Sequence, residues 1–120
     1  MSKKTLVLGA SLNEARYSNM AVTRLKDSGH EVVAFGLKQG TINGVSIDTD
    51  LKPYENIDTV TLYLNPKNQV AYYDYILSLN PKRVVFNPGT ENPEFYDILK
   101  TNNIDFEVAC TLVLLSINQY

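Results

Sequence analysis

The residues of this sequence best equipped for chemistry lie close together near its start. Gly9-Ala10-Ser11 is followed by Asn13, Arg16, Tyr17, Ser18 and Asn19. A glycine lets the backbone turn sharply and approach a phosphate, and an alanine is small enough not to obstruct it. The Ser11 hydroxyl can add a donor. Amides at the start of a following helix would offer unpaired N–H groups and a positive dipole end, an anion site. Arg16 can bind a phosphate through two N–H groups at once. Of the dinucleotide fingerprint Gly-x-Gly-x-x-Gly only Gly9 is present, and a ligand-free tight turn would use a glycine there too. Further along, Phe35-Gly36-Leu37-Lys38 stands where NAD-binding domains usually carry an acid for the ribose hydroxyls. A lysine there suits a phosphorylated ribose, as in coenzyme A or NADP, although a loop lysine is also at home in solvent.

Other reactive residue types are sparse. His30 falls at the start of a strand, opposite the expected site, and reads as a surface or edge histidine. Cys110 is the single cysteine, which leaves no intramolecular disulfide and fits a reducing, cytoplasmic setting. It can be a thiol near the cleft or an inert small buried residue. Glu91 and Glu94 flank a helix start, where the dipole favours carboxylates. One histidine and one cysteine give little material for a metal site, and no residue stands out as catalytic. Of Tyr72, Tyr73 and Tyr75 on one helix, Tyr73 is expected to pack and the others to be exposed, a pattern that suits helix amphipathicity or a contact to a second copy or a protein partner.

These residues need a scaffold, and 120 residues suffice for one domain, taken here as residues 1–120. A net charge of -2 lacks the basic face that nucleic acid requires. No apolar run approaches the roughly 20 residues of a membrane span, and Leu6-Val7-Leu8 is too short for a signal-peptide core.

Short apolar runs alternate with helical patterns along the chain. Thr5–Leu8, Glu31–Phe35, Thr59–Leu64, Arg83–Phe86 and Ile104–Val108 read as five strands. Helices are expected from Ser18 to Ser28, from Pro66 through Leu79, from Asn92 or Pro93 to Thr101, and from Thr111 to Ile117. The stretch 36–56 reads as a long connection with an extended piece at Val45-Ser46-Ile47 and a helical turn near Asp50. The class is α/β: a Rossmann-like, five-stranded parallel sheet in the order 3-2-1-4-5 with helices on both faces. Ligands of such sheets bind beyond the carboxyl ends of the strands, where the order reverses, here between strands one and four. The loops 9–19, 36–38, 64–68 and 87–90, the last including Asn87 and Gly89, are therefore the places for a site.

With these features in view, the whole chain resembles the small CoA-binding domain family, similar to the nucleotide-binding domain of the succinyl-CoA synthetase α subunit. The carriers are Val7-Leu8-Gly9-Ala10-Ser11-Leu12-Asn13 with Arg16 and Tyr17, Asn43-Gly44, Asp58-Thr59-Val60 with Asn65-Pro66-Lys67-Asn68, and the segment around Cys110. The resemblance implies that Gly9, Ala10, Ser11 and Arg16 hold a pyrophosphate and that Lys38 lies near the 3′-phosphate of coenzyme A. It also implies that Tyr63, Leu64, Asn65 and Pro66 border the path of the adenine or the pantetheine. Where relatives have Asn-Pro after strand two, this chain has Gly36-Leu37. The synthetase's second domain, with its phosphorylated histidine, has no counterpart here. The expectation is a binder of coenzyme A or an acyl-CoA. An NADP-type enzyme and a regulatory or interaction module with a decayed nucleotide site are the alternatives.

Overall fold

The computed structural model describes residues 2–120. Its centre is β1 (Thr5–Ala10), whose side chains are buried on both faces of a sheet. Leu6 and Leu8 point into one core with Val60, Leu62, Val84 and Phe86, while Val7 points into the other with Ala34. Alternation of this kind, apolar on both sides, is what a central parallel strand requires. Full burial of each such leucine or phenylalanine contributes about 1.5–3 kcal/mol.

Helices cover both faces. α1 (Tyr17–Asp27) packs Ala21, Val22 and Leu25 on the Val7 side. α5 (Thr111–Ser116) joins it there through Leu112 and Leu115. The opposite face is covered by α3 (Tyr73–Leu79) through Tyr73 and Ile76, and by α4 (Pro93–Thr101) through Phe95 and Leu99. α3 is preceded by the short α2 (Pro66–Gln69) and a 3-10 turn over Val70–Tyr72. Asn65 caps α2, accepting from the Asn68 N–H, and Asn92 caps α4, accepting from the Phe95 N–H. Proline follows each cap at the first helical position, where its missing N–H costs nothing.

The sheet corrects the expected five parallel strands in the order 3-2-1-4-5. It has seven strands: β1, β2 (Val32–Gly36), β3 (Gly40–Ile42), β4 (Val45–Asp48), β5 (Thr59–Leu62), β6 (Arg83–Phe86) and β7 (Asp105–Val108). Their order is β3-β4-β2-β1-β5-β6-β7, and β3 runs antiparallel to β4, so the sheet is mixed. The two added strands lie in the stretch read as a connection. They are three and four residues long and rich in glycine and polar residues, which hides their period. Asn43 and Gly44 join them with φ of 48° and 81°, the two positive values of a tight hairpin turn. The extended piece at residues 45–47 is thus a true strand, whereas the turn expected near Asp50 is not helical.

β4 pairs with β2 and takes the place assigned to Thr59–Leu64. That segment, as β5, lies instead on the other side of β1 and ends at Leu62. With β4 counted, the parallel strands read 3-2-1-4-5-6, the doubly wound order. The reversal therefore falls between β1 and β5, not between β1 and Arg83–Phe86.

Candidate functional site

At the carboxyl end of β1 the pairing with β2 slips. Leu8 faces Phe35, Ala10 faces Gly36, and Gly9 is left out of register. Gly9 has φ of 101°, and a Cβ there would stand 3.1 Å from the Tyr63 carbonyl carbon. Gly36 answers it from β2, since a Cβ at that position would fall 2.3 Å from the Ala10 carbonyl oxygen. Gly9 thus lets the end of β1 lie close to Tyr63 after β5, Gly36 lets β2 approach Ala10 more closely than a Cβ allows, and both line a cavity of about 370 Å³.

The loop after β1 is fixed by its own polar groups. Ser11 Oγ accepts from the Asn13 N–H at 3.1 Å, and Asn13 Oδ1 accepts from the Ala15 N–H at 3.0 Å. From inside α1, Asn19 donates to the Ser11 carbonyl at 2.9 Å. Arg16 is the N-cap residue of α1, but no side chain caps the helix and its first turn holds no acid. The positive end of an eleven-residue helix therefore has no anionic partner of its own.

Seven of the residues singled out in the sequence line this one cavity: Gly9, Ala10, Ser11, Asn13, Arg16, Lys38 and Leu64. Arg16 and Lys38 are exposed and, among the described residues, form no ion pair. No Asp or Glu lines the cavity beside them. The rest of the lining is largely apolar: Leu12, Phe35, Leu37, Leu64 and Tyr72, with Gly36. Of these, only Leu64 is placed on a ligand path by the resemblance. Leu37 carried a signal, an apolar residue among Gly36, Lys38 and Gln39 that a solvent loop does not need. Tyr72 carries none, because a tyrosine on the exposed side of an amphipathic helix is ordinary.

The other eight residues do not line the cavity. Tyr17 is exposed on α1, and Ser18 is buried in its first turn. Asn65, Pro66 and Asn68 build the cap of α2. Tyr63 packs among the side chains beneath α1 and α5. Its hydroxyl is buried without a hydrogen-bond partner, and burial pushes its pKa well above the usual tyrosine value. Gly89 is exposed, its N–H donating to Glu91 Oε1 at 2.8 Å.

Asn87 is the clearest case of a polar residue already committed. It is 1% exposed, and its amide donates to Thr61 Oγ1 at 2.6 Å and the Leu62 carbonyl at 2.9 Å. Its Oδ1 accepts from the Thr111 N–H at 2.8 Å, tying α5 to β5 and β6. A second buried network follows it. Gln69 donates to the Leu64 and Thr90 carbonyls and accepts from Asn92, which also donates to the Tyr73 hydroxyl.

Away from this edge, His30 accepts from the Lys3 N–H at 2.9 Å through Nδ1. Burial and the positive Lys3 hold its pKa below 6.5. Cys110 is partly buried and precedes α5. Among the described residues no group of His, Cys, Asp and Glu could hold a metal ion, and no helix is long and apolar enough to cross a membrane.

Three solved structures resemble the chain closely in shape. One, described as the crystal structure of an uncharacterized protein, is 50% identical, with a TM-score of 0.97, covering 100% of this chain and 99% of its own. A Thermus thermophilus protein is 23% identical with a TM-score of 0.85, covering 99% of this chain and 91% of its own. A hypothetical protein from Pyrococcus horikoshii OT3 is 24% identical with a TM-score of 0.83, covering 93% of this chain and 80% of its own. The last two show the fold alone. No curated protein matches the chain at a significant level. The model of the CoA binding domain matches residues 3–116, nearly the whole chain, and with the cavity at the β1 and β2 ends this protein belongs to the CoA binding domain family.

Proposed function

We propose that this protein binds coenzyme A or an acyl-CoA in the cavity above Gly9 and Gly36, and that it does so as a binding module without catalytic groups. The observation that carries the reading is the charge of the cavity: Arg16 and Lys38 line it, and no carboxylate does. Two unpaired cations beside an uncapped helix start are suited to a ligand with several phosphates. The glycine cradle supports the same reading, since a Cβ at either position would intrude on the strand ends beneath the ligand.

In this reading the diphosphate lies against Gly9-Ala10-Ser11 and the first amides of α1. Arg16 holds it with a forked, charge-assisted contact, worth about 1.5–3 kcal/mol. Lys38, on the loop after β2, reaches the phosphate on the ribose. An acid at this place would favour bare ribose hydroxyls, and its absence is the feature that sets the site against NADH. Neither histidine nor cysteine lines the cavity, and this reading gives Ser11 and Lys38 binding roles only.

The test is thermal unfolding with coenzyme A, acetyl-CoA, NADPH, NADH and ATP, each near millimolar. A ligand at 100 times its dissociation constant stabilises the fold by about 2.7 kcal/mol, several degrees for a domain of this size. Stabilisation confined to CoA compounds is expected. Stabilisation by NADPH alone would move the assignment to an NADP-type protein.

A further inference from the structure

Glycine gives a strand no side chain to pack, so Gly40 at the start of β3 calls for a reason. Its φ lies outside the left-handed region, unlike that of Gly9, so the backbone there would accept a side chain. What excludes one is Leu12. A Cβ at Gly40 would stand 2.5 Å from Leu12 Cδ2, 2.7 Å from Cδ1 and 3.0 Å from Cγ. The branched end of Leu12 thus rests on the bare backbone of β3. Leu12 also lines the cavity, which Gly40 itself does not reach. The backbone on both sides of this contact is held. Ser11 Oγ accepts from the Asn13 N–H and Asn19 donates to the Ser11 carbonyl, which fixes the loop around Leu12. Gly40 pairs with Ile47, and Lys26 of α1 donates to the Asn43 carbonyl at the hairpin turn at 2.6 Å.

Resting on the reading of the cavity as a CoA site, we propose that Gly40 is a positioning residue of that site. It seats Leu12 against β3 and so keeps the cavity open. With a methyl group at position 40 the Leu12 side chain must yield, because it is the flexible party and the backbone around it is fixed. The space left to it is solvent or the cavity. An isobutyl group gains by leaving water for a lining that includes Phe35 and Leu64, so it moves over the cavity. A cavity of about 370 Å³ has little room for that side chain beside a ligand. The β3–β4 hairpin therefore sets how wide the site stands, although none of its residues lines the cavity.

Titration of coenzyme A into the protein, Gly40→Ala, Leu12→Ala and the double variant tests this, with each unfolding midpoint recorded without ligand. Gly40→Ala is expected to weaken binding by about tenfold. Its midpoint is expected to stay equal or rise, because Leu12 gives way and alanine restricts the unfolded chain. Damage to the fold alone would lower both together. In the Leu12→Ala background, with no branched end left to displace, the same change is expected to cost less than about twofold. Equal affinity in Gly40→Ala would overturn the proposal, as would a lowered midpoint in that variant or an undiminished loss in the Leu12→Ala background. If coenzyme A fails to bind the unaltered protein, the CoA reading falls and this role with it. Failure of the proposal alone leaves that binding intact.

Discussion

The carboxyl edge of the sheet has two halves that use similar residues to opposite ends. Over β5, β6 and the start of α5, the polar side chains Asn87, Gln69 and Asn92 are buried and bonded to one another or to backbone. Over β1 and β2, Arg16 and Lys38 are exposed, free of ion pairs among the described residues, and gathered at one cavity. The first half spends its hydrogen bonds on holding loops together; the second leaves its cations for something else. Polar residues at the expected edge of a Rossmann-like sheet are thus not equivalent, and what separates them is whether their partners are internal.

Substitutions can break that contrast, and the largest effect is expected in the closed half. Asn87→Ala strands the Thr111 N–H and the Leu62 carbonyl in a buried setting and should cost about 3 kcal/mol, read as a lowered denaturation midpoint in urea. Next comes the cradle. Gly36→Ala places a methyl against backbone that cannot yield easily, and should cost about 2 kcal/mol of stability and abolish CoA binding in a titration.

Effects in the open half should fall on binding and spare the fold. Lys38→Ala should weaken coenzyme A by about fivefold and leave dephospho-CoA unaffected, since the contact proposed for Lys38 is to the ribose phosphate. The smallest effect is electrostatic and lies away from both halves. The folded state holds the pKa of His30 below its ordinary 6.5, so the unfolded chain takes up the proton more readily. Stability from this group is complete above about pH 6.5 and declines as the pH falls toward the lowered folded value. His30→Asn should flatten that part of a stability profile measured by chemical denaturation.

The contrast also explains what could be read from the sequence. Thr5–Leu8, Arg83–Phe86 and the caps at Asn65-Pro66 and Asn92-Pro93 declare themselves locally, through continuous apolar runs and turn chemistry that tertiary packing does not override. β3 and β4 do not, because strands of three and four residues show too little period, although Asn43-Gly44 between them is a strong hairpin signal. Missing β4 moved Thr59–Leu62 to the wrong side of β1 and displaced the reversal point with it. That Gly9, Arg16 and Lys38 come together at one cavity is legible from residue type and position. Asn87 was not separable from them, since the same side chain serves a ligand or a buried backbone and only the fold decides.

The central claim is that Arg16 and the glycine turn hold the phosphates of coenzyme A. It is tested most directly by calorimetric titration of coenzyme A into the protein and into Arg16→Ala, with the unfolding midpoint of each recorded alone. The account predicts saturable binding to the protein, a loss of about 10- to 100-fold in Arg16→Ala, and equal midpoints without ligand. No binding to the unaltered protein, or equal affinity in Arg16→Ala, would contradict it.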